Sequence, residues 1–519
     1  MDSLLSPVSS IAVFLLKHTH YSTKLVTNTT GRTTLPRSIH YVQPKLKFIP
    51  PAFNPLVLRI VQWFLPILLR FRIQPWLPAG ISRIETANVE GLVDLYRQFQ
   101  AGKIRFLMAV RHVEVDDPLC GIYLLSRAVP QVARQRGISL QYPIYTHFLY
   151  ERGMPLWAGA WLGWLLSRLG GIPIHRGKRL DWTGLRTARD LFANGKLPMT
   201  VAPEGATNGH SEIVSPLERG VAQLGFWCVE DLVKAGRSET VYIVPIGIQY
   251  RYVKPSWRKL ELLLSQLEAD SGLPVQRIDQ SATLDQEKVY YQRLFRLGEH
   301  LLDKMEQFYT RFYHRTLPGP NLPATDESTT PNQMLAARLQ TLLHTALQIA
   351  EDYFGLQAQG SVIERCRRLE EAGWTYIYRE DLQDLKALSP LDRGLADWIA
   401  EEASLRMLHM RLVESFVAVT GTYVLEKPTF ERFAETALLM FDMLARIKGD
   451  KLPHRPRLGQ RWVQITVGEP ISVTERWPTY QTSHQAARLA AADLTQNLQV
   501  ALEKMISHTP SQLGCVAKT

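Results

Sequence analysis

The sequence is poor in cysteine, with Cys120, Cys228, Cys366 and Cys515 as its only four. They lie far apart and include no Cys-x-x-Cys pair, so the pattern indicates neither a disulfide framework nor a zinc site, and no metal is expected. Few and widely spaced cysteines are typical of a protein in a reducing compartment. A Gly-x-Ser-x-Gly motif is also missing, which argues against a hydrolase with a nucleophilic serine at the tip of a strand.

Acidic residues are nearly missing from the first 80 positions. This segment holds nine lysines and arginines but only one acid, Asp2, so it carries +8 of the net charge of +11. Such a surplus can attract nucleic acid or an anionic bilayer. Tryptophan and leucine accompany the charges, and no nucleic-acid-binding module is recognisable. We therefore expect a membrane surface with anionic lipid as a partner, and no nucleic acid.

Long apolar runs are missing as well. Residues 53–72 are interrupted by Arg59 and Arg70, so they fall short of the roughly 20 apolar residues of a membrane-spanning helix. On a helix, these arginines, Gln62 and Pro66 would form one narrow stripe, with apolar side chains over the rest. The pattern predicts an amphipathic helix at a membrane interface. A core helix beneath the rest of the protein is the alternative.

The 519 residues, 45% of them apolar and 21% charged, indicate a globular protein of more than one folded unit. Between residues 104 and 250 short apolar runs alternate with helical stretches, which predicts an α/β layer with strands at 106–110, 142–145, 172–175, 199–202 and 241–249. Residues 256–450 have the pattern of long amphipathic helices, such as 286–313, 333–356 and 396–419. A strand pattern returns at 462–467 and is followed by a helix at 484–506.

Residues 154–166 carry Trp157, Trp161 and Trp164 among alanine, glycine and leucine. Tryptophans in such a helix can line an acyl pocket or lie at a membrane interface. They can equally belong to an ordinary core.

The segment 111–118, Arg-His-Val-Glu-Val-Asp-Asp-Pro, follows the first predicted strand and sets His112 five residues ahead of Asp117. The spacing alone is weak evidence, because His112 could simply end a strand and Asp117 cap a helix. Pro118 disfavours helical dihedrals at Asp117 and suits the first position of a helix, so we predict Asp117 as the N-cap with His112 in the preceding turn. The pair could then act as a general base and its orienting carboxylate.

Three further motifs follow or lie in the later strands. Arg176 stands at the mouth of the third predicted strand, where a guanidinium can bind phosphate. After the next strand, residues 203–208 bring Glu204, the flexible Gly205 and exposed backbone amides to the same edge of the sheet. Residues 244–246, Val-Pro-Ile, lie inside the last strand of the series. Each motif alone could be only a turn.

In this order and spacing, the four motifs resemble the glycerolipid acyltransferase family that includes the 1-acyl-glycerol-3-phosphate acyltransferases. The resemblance implies an α/β fold with a mixed sheet flanked by helices. It also implies acyl transfer from a thioester donor, acyl-CoA or acyl-carrier protein, to the hydroxyl of a lysolipid such as lysophosphatidate. His112 would be the general base and Asp117 its orienter, without a metal or other cofactor. The acceptor and its phosphate would be bound by Arg176, Glu204, Gly205, Thr207 and Arg219.

The chain departs from the family pattern at three places. Arg111 replaces an asparagine, the third motif ends in Ala-Thr where the family has Thr-Arg, and Glu218 replaces a lysine. Arg219 or His210 could compensate for the missing phosphate-binding guanidinium, or the acceptor could lack the usual phosphate. Two alternatives therefore stay open: a weak or inactive lipid-binding scaffold on the same fold, and an acyltransferase for a non-glycerolipid acceptor.

Residues 467–471, Val-Gly-Glu-Pro-Ile, resemble a family strand that ordinarily follows the fourth motif much sooner. The resemblance thus implies that a large helical insertion separates two parts of one core. The expected organisation is a mostly disordered basic arm, an amphipathic membrane-associating helix, an α/β acyltransferase core, the helical insertion, and a final core strand with a C-terminal helix. The corresponding residues are 1–52, 53–80, 81–254, 255–458 and 459–519. We expect the protein at the cytoplasmic face of a membrane, bound peripherally or inserted shallowly.

Overall fold

The structure is a computed structural model that describes residues 41–72, 80–175, 182–276, 286–319, 330–382, 384–416, 422–450 and 454–506. The predicted basic arm therefore lies outside the described residues except for 41–52. The strands are β1 (Gln43–Pro44), β2 (Ile81–Ala87), β3 (Ile104–Val110), β4 (His147–Glu151), β5 (Gly171–Ile174), β6 (Met199–Val201), β7 (Thr240–Tyr252), β8 (Tyr378–Arg379), β9 (Arg461–Val467) and β10 (Ile471–Ser472).

The helices up to the end of β7 are α1 (Pro55–Arg70), α2 (Val89–Gln100), α3 (Asp117–Tyr123), α4 (Val129–Gln135), α5 (Met154–Ala158), α6 (Ala160–Arg168), α7 (Trp182–Asn194) and α8 (Gly220–Lys234). A π-helical segment, Leu124–Ala128, joins α3 to α4. The later helices are α9 (Trp257–Asp270), α10 (Gln286–Tyr313), α11 (Pro331–Phe354), α12 (Val362–Ile377), α13 (Pro390–Phe416), α14 (Tyr423–Glu426), α15 (Phe430–Ile447), α16 (Trp477–Tyr480) and α17 (His484–Lys504).

The main sheet is mixed and has the strand order β2-β9-β7-β3-β6-β4-β5, with β10 paired to β7. Strands β9 and β10 run antiparallel to β7, and the other neighbouring pairs are parallel. Although more than 200 residues separate β7 from β9 in the chain, Ile246 to Tyr252 pair in register with Val467 to Arg461. The described helices between these two strands, α9 to α15, are together called the helical region.

Helices cover both faces of the sheet, as the alternation of side chains along β3 shows. Phe106 and Met108 are buried against α1 to α4, whereas Leu107 and Ala109 are buried against α7, α8 and α17. Successive side chains of a strand point to opposite faces, so a strand covered on both faces needs an almost continuous apolar sequence. The predicted class, a mixed sheet flanked by helices with a helical region, is confirmed.

Two elements of the sheet differ from the prediction. Residues 142–145 do not form a strand, and the strand in that part of the chain is β4, five residues later. Pro143 cannot donate to a sheet ladder, and the run around it pairs with no strand: Tyr142 is 70% exposed, whereas Ile144 and Tyr145 are buried. Strand β2 was not predicted, because it lies at the end of the sheet and most of its side chains are exposed or half-buried.

Helix α1 contacts the core along one side and solvent along the other. Asn54 caps it by accepting the backbone N–H groups of Leu56 and Val57, and its own N–H donates to the carbonyl of Arg168 at the end of α6. Leu58, Leu65 and Leu69 are buried, whereas Leu56, Trp63, Ile67 and Phe71 are exposed. Within the described ranges, none of the helices has the length and hydropathy needed to cross a bilayer.

Candidate active site

The segment between β3 and α3 holds the predicted base. The backbone N–H of Arg111 donates to the carbonyl of Ile246 on β7, so the chain leaves the sheet directly before His112. Asp116 is the residue before the first turn of α3, and Asp117 is its first helical residue. The predicted N-cap at Asp117 is therefore wrong by one position, because Pro118 takes the second helical position and not the first.

The structure brings His112 and Asp117 together. The imidazole Nδ1 of His112 lies 3.0 Å from Oδ2 of Asp117, and the same oxygen accepts the backbone N–H of Glu114 at 3.0 Å. The Asp117 side chain is 3% exposed, whereas that of His112 is 28% exposed and lines a cavity. Because Nδ1 contacts the carboxylate, Nε2 is the ring nitrogen that can take a proton from a bound hydroxyl.

Tyr250 completes this arrangement and was not predicted. Its O–H donates to Oδ1 of Asp117 at 2.6 Å. Strand β7 extends to Tyr252, beyond the predicted end at residue 249, and Tyr250 shares a face with Ile246 and Ile248. The signal in the sequence was the apolar residue at every second position, Ile246 and Ile248, which continues by one more step to Tyr250.

Arg111 and Glu204 connect the His112 loop to the loop after β6. The Arg111 side chain is 1% exposed and its guanidinium donates to backbone carbonyls of residues 210, 211 and 213. Oε1 of Glu204 accepts the backbone N–H of His112 at 2.9 Å, and Oε2 accepts from Asn208 and from the backbone of Ser215. Burial raises the pKa of Glu204, an effect that nearby Arg111 opposes. Both side chains are used to hold these loops together.

Gly205 stands where no other residue fits without rearrangement. Its φ is +73°, and a Cβ added there would lie 2.1 Å from Oε1 of Glu218. Gly205, Ala206 and Thr207 line the same cavity as His112. These two predicted site residues, Gly205 and Thr207, therefore share a cavity with His112, whose carbonyl accepts the backbone N–H of Asn208 at 3.3 Å.

Of the remaining candidates for acceptor binding, Arg219 and the alternative His210 fall within the described residues. Arg176 lies outside the described residues. Arg219 is exposed directly before α8, outside the residues that line the cavity, and it acts electrostatically on Glu364. His210 is buried, and desolvation lowers its pKa to about 4. A neutral imidazole does not carry the charge of a guanidinium, which argues against His210 as its replacement.

The cavity has a volume of about 2270 Å³ and two chemically different walls. One wall is apolar and comes from α1, α3, α5 and α6; it includes Val57, Ile60, Phe64, Ile122, Leu156, Trp161 and Trp164. The other wall is charged and comes from the helical region; it includes Arg367, Glu370, Arg411, Glu414 and Arg446. Such a cavity suits a ligand with a long apolar chain and a polar end.

The cavity residues overlap a segment with recognisable relatives. Residues 141–249 match the model of the Acyltransferase family. The match confirms the resemblance to acyltransferases that the motifs predicted, and it supports acyl transfer as the chemistry. The matched residues contain the second, third and fourth motifs and begin after Asp117. A comparison with curated proteins found no match for the chain.

The segment that matches the acyltransferase model is joined to the helical region at Glu218, ten residues after the third motif. Nε of Arg367 on α12 donates to Oε1 of Glu218 at 3.1 Å, and Nη1 donates to Glu370 at 3.2 Å and to Glu414 at 2.8 Å. Arg411 pairs with the same two helical carboxylates. Glu218, which replaces the family's lysine, thus holds an arginine that lies 149 residues later. No local pattern in the sequence indicates such a distant pair.

Two arginines beyond the helical region hold the acids of the His112 loop. Arg455 contacts Glu114 at 3.3 Å and Asp442 at 2.6 Å. Arg461 pairs with the fully buried Asp116 and lies 3.9 Å from Glu114. The loop that carries His112 is therefore fixed by residues more than 300 positions later in the chain.

Proposed function

We propose that the protein is a membrane-associated acyltransferase that moves a fatty acyl group from a thioester donor to the hydroxyl of a lysolipid, with His112 as general base. The contact of 3.0 Å between His112 Nδ1 and Asp117 Oδ2, at a cavity lined also by residues of the acyltransferase segment, carries this proposal.

The proposed reaction needs one base and no covalent enzyme intermediate. The acceptor hydroxyl gives its proton to Nε2 of His112 while its oxygen attacks the thioester carbonyl. The tetrahedral intermediate then expels the thiolate, which takes the proton from the imidazolium, and an ester is left on the acceptor. Asp117 stabilises the imidazolium between these two steps. No metal or other cofactor enters this scheme.

We propose that the apolar wall takes the acyl chain and the charged wall takes the polar end of the acceptor. Lysophosphatidate is the first acceptor to test, because the family resemblance implies it. Thr207 can contribute a hydroxyl to acceptor binding, whereas the backbone N–H of Gly205 already donates to the carbonyl of Ala202 at 3.2 Å. Glu204, by contrast, is buried and its oxygens already accept hydrogen bonds, so we assign it to positioning His112 instead of binding phosphate.

The membrane part of the proposal rests on α1. The side of this helix that carries Ile60 and Phe64 lines the cavity, while Trp63 is 75% exposed and Leu56 is 65% exposed. Exposed tryptophan and leucine beside basic residues are typical of a helix that lies in a bilayer interface. A lipid held in the same leaflet could enter the cavity beside α1. We propose a peripheral location at the cytoplasmic face.

The test is an acyl-transfer assay with purified protein. Lysophosphatidate, other lysolipids and a long-chain amine are offered as acceptors, each with acyl-CoA and with acyl-carrier protein as donors, and His112→Ala is assayed in parallel. We expect transfer to at least one lysolipid and its loss in the variant. Absence of transfer to every acceptor, or equal transfer by the variant, contradicts the proposal. Lipid binding without turnover would support the scaffold alternative.

A further inference from the structure

Tyr250 lies in the interior, where several neighbours hold it in place. No step of the proposed reaction uses it. Its side chain is buried on β7, and its backbone N–H donates to Oγ of Ser211 at 3.2 Å. The guanidinium of Arg461 lies 4.9 Å from its ring centroid, a distance at which a cation is attracted to the ring face. Arg461 is itself paired with Asp116. Ser211, in the loop after β6, and Arg461, at the start of β9, thus hold Tyr250 in position.

The phenol O–H is directed at the second oxygen of the orienting carboxylate. Oδ2 of Asp117 accepts from His112 and Glu114, and Oδ1 accepts from Tyr250 at 2.6 Å. With both oxygens bonded, the carboxylate plane cannot rotate about its terminal torsion, which is otherwise broad. Burial raises the pKa of Tyr250 well above its usual range, so the phenol stays a donor.

We infer that Tyr250 is a positioning residue for the acyl-transfer reaction, acting through Asp117 to fix the orientation of the His112 imidazole and to limit how strongly the carboxylate holds a proton on that ring. This inference rests on the proposed function. The other charged or titratable groups that face the phenol are Asp116, Arg461 and Cys120, whose Sγ lies 3.7 Å from the hydroxyl.

The variant Tyr250→Phe removes the O–H and keeps the ring beneath Arg461. We expect kcat to fall about tenfold, as for loss of one hydrogen bond to a charged group, while KM for the acceptor changes less than about twofold, because Tyr250 does not contact the acceptor. The acidic limb of the pH–rate profile should move to higher pH, because Oδ1 of Asp117 loses a hydrogen bond that draws charge from the carboxylate. The carboxylate then holds the proton on His112 more tightly. Tyr252→Phe, two residues along the same strand, is the matched control and should keep wild-type activity.

A double-mutant cycle separates this role from general structural support. In an Asp117→Asn background, Tyr250→Phe should have no further effect on kcat beyond about twofold. An equal loss in both backgrounds, or wild-type kcat and pH profile in Tyr250→Phe, overturns the inference. A thermal melt checks folding, and the NMR signal of His112 Nδ1–H, which should shift in Tyr250→Phe, gives a reading that needs no turnover. Transfer that is absent, or insensitive to His112→Ala, would instead contradict the proposed function.

Discussion

At the scale of single residues, Glu204 joins the loop that carries His112 to the loop that follows β6. Its carboxylate accepts the backbone N–H of His112 and, on the other oxygen, groups from Asn208 and Ser215. A buried carboxylate with this many partners is costly to lose and cannot also bind an anion. The main structural effect of the third motif in this chain is therefore to fix the position of His112.

Gly205 offers a test of how tightly this turn is built. Gly205→Ala adds a methyl group where Glu218 Oε1 would be 2.1 Å away, at a φ of +73° that disfavours a side chain. Glu218 must move, which weakens its contact with Arg367. We expect the free energy of unfolding to fall by about 1–3 kcal/mol, measured by denaturant titration. Gly91→Ala is the control, because nothing lies within 4 Å of its added Cβ. A loss no larger than that of the control would contradict this account.

The sequence predicted the residues of this site better than their contacts. His112 and Asp117 meet as expected, because a short loop between a strand and a helix leaves them few alternatives. The bonds of Asp117 to Tyr250 and of Glu218 to Arg367 were missed, because each joins residues more than 100 positions apart. Their partners are ordinary tyrosine, glutamate and arginine, and only the fold places them together.

At the scale of elements, the loop between β6 and α8 is held by the helical region at three points. Glu435 on α15 accepts the backbone N–H of Ser211 at 3.0 Å. Glu212 pairs with Lys427 and Arg432, and Glu218 pairs with Arg367. Residues 204–218 therefore depend on the helical region for their position.

Glu435 makes this contact sensitive to pH. Burial raises the pKa of Glu435 to about 7, partly opposed by its bonds from Tyr423 and Ser211. A carboxyl whose pKa is higher in the folded than in the unfolded protein binds more protons when folded between about pH 4.5 and 7. Its contribution to stability is therefore greatest below this window and is lost as the pH rises through it.

We predict that Glu435→Gln removes this loss. The free energy of unfolding of the variant, relative to the wild type, should rise by about 1–3 kcal/mol between pH 4.5 and 8, measured by denaturant titration at each pH. The pKa values of His210 and His409 are lowered to about 4, so their contribution to the stability of the protein is lost as the pH falls below about 6.5. This loss is the same in the wild type and the variant, and it cancels in the difference between them. A difference that does not change with pH would show that Glu435 titrates normally.

Helix α1 is the element on which the proposed membrane contact depends. Deleting it would also remove the buried Leu58, Leu65 and Leu69, so a point substitution is the cleaner test. Trp63→Glu should weaken binding to vesicles that contain anionic lipid by about tenfold or more, measured by co-sedimentation. Leu391→Glu is the control, because Leu391 is similarly exposed, at 71%, but lies on α13. Equal effects of the two substitutions would place the contact elsewhere.

Long helices were predicted well and short strands less well. Helix α10 has the predicted bounds, and α11 and α17 differ by about two residues, because their apolar side chains recur at helical spacing over many turns. Helix α13 begins at Pro390, six residues before the predicted start at 396. Strand β4 was misplaced and β2 was missed, since three to seven residues carry too few repeats to define a period. Helices α5 and α6 were predicted as one, and the break at Gly159, with φ of +102°, separates them.

At the scale of the whole molecule, the site is made by parts that are far apart in the chain. The apolar wall comes from the first 170 residues, the His112 loop follows β3, and the charged wall comes from α12, α13 and α15. Arg461, at the start of β9, then fixes the loop and Tyr250. The mixed sheet and its flanking helices could be predicted from pattern and resemblance. The shared cavity could not, because it depends on how the helical region packs against the sheet.

The central claim is that His112 acts as the base in acyl transfer, and its most direct test is the rate of transfer by His112→Ala. General-base catalysis contributes about 10²–10⁴-fold, so kcat should fall by that factor with the fold intact by thermal melting. His484→Ala, at an exposed histidine at the start of α17, is the control and should match the wild type. A His112→Ala protein that retains transfer within about twofold of the wild type would contradict the account.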